Sequence, residues 1–167
     1  MTNAQFVTAV QPDLTRAFGS GRLRRAFNAL SSAGLCRTKA VVSPESIAWL
    51  LATLALAPST DDAKLRAWIA SRAEQWQEKG ENPYKLLRFG LTATHLASAI
   101  SAVVINRTTG GLALHGTDGS VFDSAPDQRT ALAEICAIDG QFFSWCAKAI
   151  RLSTLAHEAG VQLPVLN

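Results

Sequence analysis

Residues 47–57 read IAWLLATLALA, and this apolar run constrains the fold more than any other segment of the chain. It is about half as long as the roughly 20 residues that a membrane-spanning helix needs. Directly before it, Ser43 supplies an N-cap hydroxyl, Pro44 a first-position proline and Glu45 an acid in the first turn. The segment therefore predicts a helix buried on most of its circumference inside a globular protein.

The composition predicts a folded chain. Of its 167 residues, 48% are hydrophobic and 17% are charged, a balance that excludes a disordered chain. The N-terminal segment has neither a basic start nor the apolar core of a signal peptide. Cys36, Cys136 and Cys146 form no CxxC pair, so we expect reduced, buried cysteines. Together with the missing signal peptide and the short apolar run, this predicts a cytoplasmic protein without membrane contact. We also expect no cofactor.

Helical patterns flank a β-rich segment in the second half of the chain. Asp118-Gly119 is a strong hairpin signal and predicts a meander with strands near 102–107, 111–115 and 120–123. Helices are predicted at 3–10, 12–19, 22–33, 44–57, from about 61 to 79, at 83–98, and from 126 to about 159 with a break at Gly140. The predicted fold class is α+β, mainly α-helical, with a small antiparallel β-meander in the C-terminal half.

The first 43 residues have the spacing of a helix-turn-helix. Gly19-Ser20-Gly21 separates two short helical segments, and Leu23, Phe27 and Leu30 repeat at i, i+4 and i+7. Residues 36–42, CRTKAVV, predict a minimal strand or wing, so the unit is a helix-turn-helix or a reduced winged helix. We therefore divide the chain into a DNA-binding unit at 1–43, a helical body at 44–100 and a sheet with C-terminal helices at 101–167, or one compact domain.

Positive charge is concentrated in the same unit. Residues 1–43 hold six Lys and Arg against one acid, Asp13, which favours a polyanionic partner. Arg22, Arg24 and Arg25 are predicted to be exposed at the start of the second helix, where a helix-turn-helix contacts base edges and phosphates. The flanking phosphate contacts are predicted to be Arg16, Ser20, Arg37 and Lys39. The alternative for these arginines is an ordinary solvated helix face.

Other chemistry-bearing residues form no motif. The histidines have no metal-ligand spacing, and we predict neither a metal site nor a catalytic residue. A weaker alternative is an enzyme with a site around His115 and Asp118. The four tryptophans are predicted to pack in the core. In the sequence QFFSWC, Phe142, Phe143 and Trp145 cannot all face one side of a helix, so they are the candidates for a dimer or partner interface.

Residues 10–65 resemble small phage and prophage proteins of proteobacteria. The stretch LRRAFNALSSAGLCRTKAVVSPESIAWLLATLALAPSTDDA shares their layout, in which a helix-turn-helix-like segment ending in AGL leads through a basic linker to a capped, Leu/Ala-rich helix. The resemblance implies a phage-type accessory or regulatory protein and no reaction.

These observations predict a transcriptional regulator that binds double-stranded DNA as a homodimer. The alternative is a phage accessory factor that binds a host protein, such as an inhibitor of a host or defence complex. In that case the helix-turn-helix is a scaffold that is not used on DNA.

Overall fold

The computed structural model describes residues 1–58, 61–76, 82–124 and 135–161. The elements in chain order are α1 (Asn3–Phe18), α2 (Ser20–Ser32), α3 (Pro44–Leu56), α4 (Asp62–Gln75), α5 (Pro83–Thr92), α6 (Thr94–Ala99), β1 (Ile100–Asn106), β2 (Gly111–Gly116), β3 (Val121–Asp123), β4 (Ile135–Asp139) and α7 (Gly140–Glu158). This α+β architecture, mostly helical with an antiparallel sheet in the C-terminal half, confirms the predicted fold class.

Helix α3 lies at the centre of the fold. Every residue from Ser46 to Ala55 is buried, as the apolar run predicts. The Ser43 hydroxyl accepts a hydrogen bond from the Ser46 amide, the Ser46 hydroxyl accepts one from the Ser43 amide, and Pro44 follows in the first turn. Helices α1, α2, α5 and α7 all pack against it. The helix is therefore apolar all round because protein surrounds it on every side.

The sheet has four antiparallel strands in the order β3-β2-β1-β4. Val103 of β1 lies opposite Leu114 of β2 on one side and Ile138 of β4 on the other. These three side chains are buried and join the sheet to the helical core. The predicted meander is confirmed as β1, β2 and β3, and β4 was not predicted.

Two predictions about the C-terminal half are corrected. A helix was expected to continue through residues 135–139, which instead form β4 because they pair with β1. The start of that helix, at 126–134, lies outside the described residues. The predicted helix at 83–98 is divided at Ala93 into α5 and α6, and Gly90, where the pattern was interrupted, lies inside α5.

The N-terminal unit also differs from the predicted helix-turn-helix. Residues 3–18 form one helix with Pro12 inside it, so the predicted pair of short helices is wrong. Ser20 and Gly21 begin α2, and Gly19 alone separates the helices, because its φ of 82° reverses the chain within one residue. The predicted wing at 36–42 is a turn that makes an isolated bridge from Val41 to Thr2.

One hydrophobic core runs through all three segments into which the sequence was divided. It includes Leu14 of α1, Leu50 of α3, Ile105 of β1 and Phe143 of α7, all almost completely buried. The buried cluster therefore joins residues from all three segments. Among the described helices, none combines the length and apolarity needed to cross a bilayer.

Candidate nucleic-acid interface

Helices α1 and α2 form a helical hairpin that carries the predicted basic residues. At its open end, the Asn3 amide donates to the Ala40 carbonyl at 2.9 Å, and the Asn3 side-chain amide donates to the Arg37 carbonyl at 2.9 Å. These bonds hold the segment with Arg37 and Lys39 against the start of α1. Arg16 and Ser20 lie at the opposite end, next to Gly19.

Arg22 is not exposed as predicted. Its Nε donates to the Leu54 carbonyl at 2.9 Å, and its Nη2 donates to the Ala57 carbonyl at 2.6 Å. Both acceptors lie at the C-terminal end of α3, where the helix dipole favours a cation. Arg22 therefore caps α3, and the prediction that it reads a groove does not fit its position.

A second arginine caps the same helix end. Arg107, at the end of β1, donates from Nε to the Ala55 carbonyl at 3.0 Å. With Arg22, it supplies charged donors to three carbonyl oxygens of the last turn of α3, which have no partner within a helix that ends at Leu56. The two arginines tie the hairpin and the sheet to the central helix.

Arg25 is half-buried and faces α4. It lines a small recess of about 70 Å³ together with Asn28, Ser32, Asp62 and Arg66. Its Nε is buried and has no acceptor among the described residues. Arg22 is bound to the end of α3 and Arg25 lies in the recess beside α4, so the predicted common reading face of three exposed arginines is not formed.

Arg24 and Ser20 lie on the outer side of the hairpin, and both are exposed. They line a groove of about 420 Å³ between α1 and α2, to which α1 contributes Thr8, Gln11 and Thr15. This groove carries no acidic side chain. Ser20 and Gly21 are also the first residues of α2, and Gly19 has no side chain to cap their N–H groups. A positive helix end therefore opens into this groove.

Four predicted contact residues are exposed: Arg16, Arg24, Arg37 and Lys39. Among the described residues, Arg88 and Glu45 form an ion pair at 2.8 Å. None of the four exposed cations has a carboxylate partner in that part of the chain. The turn with Arg37 and Lys39 lies against Asn3 and Arg16 is near the end of α1, about 20 Å away by the rise of 1.5 Å per residue. The hairpin therefore presents unneutralised positive charge along its length.

A larger, mostly apolar groove of about 630 Å³ lies on the other side of α1, between α1, β4 and α7. Two of the predicted interface residues, Phe142 and Trp145, line it, and Trp145 is 37% exposed. Phe143 is completely buried, so its assignment to an interface is wrong. Helix α7 turns Phe143 inward against Gly90 of α5, where its ring leaves no room for a Cβ.

Three of the tryptophans form one aromatic cluster with Tyr84, as the core prediction requires. The ring centroids of Trp49 and Trp76 are 5.0 Å apart, and Trp49 and Tyr84 are 4.9 Å apart. Trp68 meets the edge of Trp76 at 5.8 Å. The cluster joins α3, α4 and α5 and does not face either groove.

The weaker enzyme alternative gains no support from the geometry around Asp118. Its Oδ1 accepts hydrogen bonds from the Ser120 amide at 2.9 Å and the Ser120 hydroxyl at 2.6 Å, which lower the pKa of the carboxyl group. The carboxylate thus stabilises the turn between β2 and β3. Within the described ranges, no three His, Cys, Asp or Glu residues are grouped as metal ligands.

Cys36 and Cys146 are buried free thiols, in agreement with the expected reduced state. Burial raises the pKa of Cys36 to about 12 and also raises that of Cys146, so both are poor nucleophiles at neutral pH. Cys136 in β4 is half-buried.

Comparison with known proteins found no matching family model, no matching curated protein and no matching solved structure.

Proposed function

We propose that the protein binds double-stranded DNA as a phage-type regulator, with the outer side of the α1–α2 hairpin against the phosphate backbone. The observation that carries this proposal is the set of exposed basic side chains, Arg16, Arg24, Arg37 and Lys39, which form no ion pair with the described residues and lie on a unit whose single acid, Asp13, lines the other groove. Lys and Arg contacts with phosphates supply most of the affinity of non-specific DNA binding.

The groove between the helices supports a phosphate contact near Ser20. The N–H groups that begin α2, the Ser20 hydroxyl and the Arg24 guanidinium all lie at this groove. Helix N-termini bind phosphate because their N–H groups and dipole both favour an anion. Arg24 can reach either a phosphate or a guanine edge, since its fork of donors suits both.

The contact set differs from the one predicted from the sequence. Arg22 holds the end of α3, and Arg25 turns toward α4, so neither is placed on the backbone. Four phosphate contacts remain, and they predict a log-log salt slope of about −3.6 for duplex DNA. The expected homodimer stays a prediction.

The test measures the binding of fluorescent DNA duplexes by anisotropy across a salt series. One set of duplexes has random sequence, and the other has defined sequences of mixed base composition. The paired variant Arg37→Ala/Lys39→Ala is expected to lower affinity at low salt and to reduce the magnitude of the slope by about 1.8. Its matched control is Lys148→Ala/Arg151→Ala, which removes one lysine and one arginine from the exposed side of α7.

Equal losses in the two paired variants would mean that binding follows net charge alone, and this result would reject the hairpin as the interface. Absence of binding at low salt by the folded wild-type protein would reject DNA binding altogether. Arg24→Ala separates the two roles of that residue. Uniform weakening across sequences indicates a phosphate contact, whereas a loss of preference at one base position indicates base readout.

A protein-binding accessory function is the second candidate. It is favoured by the apolar groove beside Phe142 and Trp145, which is separate from the groove that Ser20 and Arg24 line. The chemistry of that groove defines the partner more closely.

A further inference from the structure

Strand β4 is an edge of the sheet and also one wall of the apolar groove. It pairs with β1 on one side, and none of the described strands pairs with its other side. In an antiparallel pair, alternate residues direct their N–H and C=O groups away from the partner strand. Ala137, Ile138 and Asp139 line the groove. Backbone donors and acceptors are therefore available along this wall.

The sequence of β4, ICAID, has one charged residue, Asp139, at its C-terminal end and apolar residues before it. It contains no lysine and no proline, and Ile135 is 63% exposed. Natural proteins block exposed edges with such residues or cover them with another element. Because β4 has an outer edge that no described strand pairs with, the groove beside it is suited to an added strand.

The opposite wall of the groove is formed by α1, which contributes the large apolar side chains of Val10, Leu14 and Phe18 as well as smaller ones. Ala9, Asp13 and Ala17 face it from α1, and Phe142 and Trp145 form apolar surface on α7. A chain in extended form that pairs with β4 would place alternate side chains toward this aromatic surface. The five residues of β4 are about 17 Å long, which corresponds to a peptide of about five residues.

The charge of the groove selects among possible occupants. Asp13 and Asp139 line it, and no described lysine or arginine does. Asp139 accepts hydrogen bonds from the Gln141 and Phe142 amides and caps α7. Asp13 makes no ion pair with the described residues, so its charge is not neutralised there. A second copy would offer its own β4, whose sequence ICAID has no lysine or arginine, so that strand supplies no cation to lie beside Asp13.

We propose that this groove binds an extended segment of another protein, with alternating apolar residues and at least one lysine or arginine, which adds to the sheet as a strand beside β4. Main-chain hydrogen bonds supply affinity in this mode, and side-chain pockets supply specificity. The apolar residues pack on Phe142 and Trp145, and the cation lies beside Asp13. This groove is distinct from the one beside Ser20 and Arg24, because different residues of α1, among them Thr8, Gln11 and Thr15, line that second groove.

The experiment selects binders from a surface-displayed library of random seven-residue peptides on the full-length protein. Alternating β-branched or aromatic residues with lysine or arginine are expected to be enriched. The most enriched peptide, synthesised with a fluorophore, then reports affinity by anisotropy. Asp13→Lys is expected to weaken binding at least tenfold, and Ala17→Trp is expected to abolish it by filling the groove. Glu158→Lys and Ala159→Trp, exposed at the end of α7, are the matched controls.

Hydrogen exchange distinguishes strand addition from other contacts. The peptide is expected to slow exchange of amides within residues 135–139, whereas a ligand held by side chains alone would leave these rates unchanged and would overturn the proposal. Three further results would also overturn the proposal. The library could show no enriched peptide, or all four variants could bind the peptide equally well. The wild-type protein could also be a dimer that Ala17→Trp dissociates, in which case a second copy occupies the groove. If the wild-type protein binds DNA but no peptide, this result rejects only the peptide site beside β4 and leaves the proposed DNA binding in place.

Discussion

The guanidinium of Arg22 lies 2.9 Å from the carbonyl oxygen of Leu54, so a residue of α2 forms the C-terminal cap of α3. In the sequence, this arginine belongs to the basic run RLRR, together with Arg24 and Arg25. Its acceptors lie more than 30 residues further along the chain. One of the three arginines therefore stabilises the central helix, and it is distinct in role from its exposed neighbour Arg24.

Arg22→Ala is expected to lower the free energy of unfolding by about 1–3 kcal/mol, because two backbone carbonyls lose charged donors at a half-buried helix end. Arg24→Ala is expected to change it by less than about 0.5 kcal/mol, since that side chain is exposed. Urea unfolding followed by circular dichroism measures both. Equal stabilities of the two variants would contradict the capping role.

Gly140→Ala is expected to destabilise the protein by about 3 kcal/mol, because a Cβ at the start of α7 would meet backbone of β1, 2.6 Å from the Ser101 carbonyl oxygen. Gly90→Ala is expected to cost less, about 1–2 kcal/mol, since the atom it meets at 2.9 Å belongs to the Phe143 ring. Thermal unfolding of both variants tests this order. A higher stability of Gly140→Ala than of Gly90→Ala would contradict it.

Gly21→Ala is expected to leave stability unchanged or to raise it by up to about 1 kcal/mol. Alanine is the better helix former, and the nearest atom to its Cβ, at 3.2 Å, is the flexible end of Arg25. The same unfolding measurement provides the comparison with the two tight glycines. A loss above 1 kcal/mol would show that the Arg25 side chain is rigidly held.

Stability is expected to fall at alkaline pH partly through Cys36. Burial raises the pKa of its thiol from 9.0 to about 12 in the folded protein. Below pH 9 the thiol is protonated in both states and its full contribution is present. As pH rises through 9 toward 12, only the unfolded chain releases the proton, so the folded state loses stability. Unfolding of Cys36→Ala between pH 8 and 10 should show a shallower decline than the wild type, and parallel curves would refute this.

Glu45 is expected to make a small contribution at acid pH. Partial burial acts to raise its pKa, but hydrogen bonds from its own backbone amide and from Arg88 outweigh this and lower it. The contribution is therefore present above the ordinary pKa of 4.5 and is lost as pH falls through the lower folded value. Arg88→Ala should reduce stability at pH 7 by under about 1 kcal/mol, because the pair is well exposed, and the difference should shrink below pH 4.

Patterns in the sequence predicted the elements whose determinants are local. Ser43 and Pro44 mark the start of α3, and Asp118-Gly119 marks the turn between β2 and β3, because caps and turns depend on a few adjacent residues. Strand β4 was missed because residues 135–139 become a strand by pairing with β1, a contact that no local pattern records.

Local patterns also misplaced the N-terminal unit. Pro12 suggested a helix start, yet it lies on the exposed side of α1, where water can satisfy the carbonyl group that loses its partner. The candidate contacts divided in the same way. The local sequence predicted correctly that four side chains are exposed: Arg16, Arg24, Arg37 and Lys39. It could not predict the positions of Arg22 and Arg25, because these depend on contacts with α3 and α4, which come later in the chain.

The burial of α3 on every side bears on how the chain is made. A ribosome releases α1, α2 and α3 well before α7 has been translated, and the surface of α3 that α5 and α7 cover stays uncovered until then. Domains fold as units during synthesis. The nascent N-terminal half is therefore expected to require protection by chaperones, and a stop codon before residue 140 should yield a polypeptide that is degraded rather than a smaller working protein.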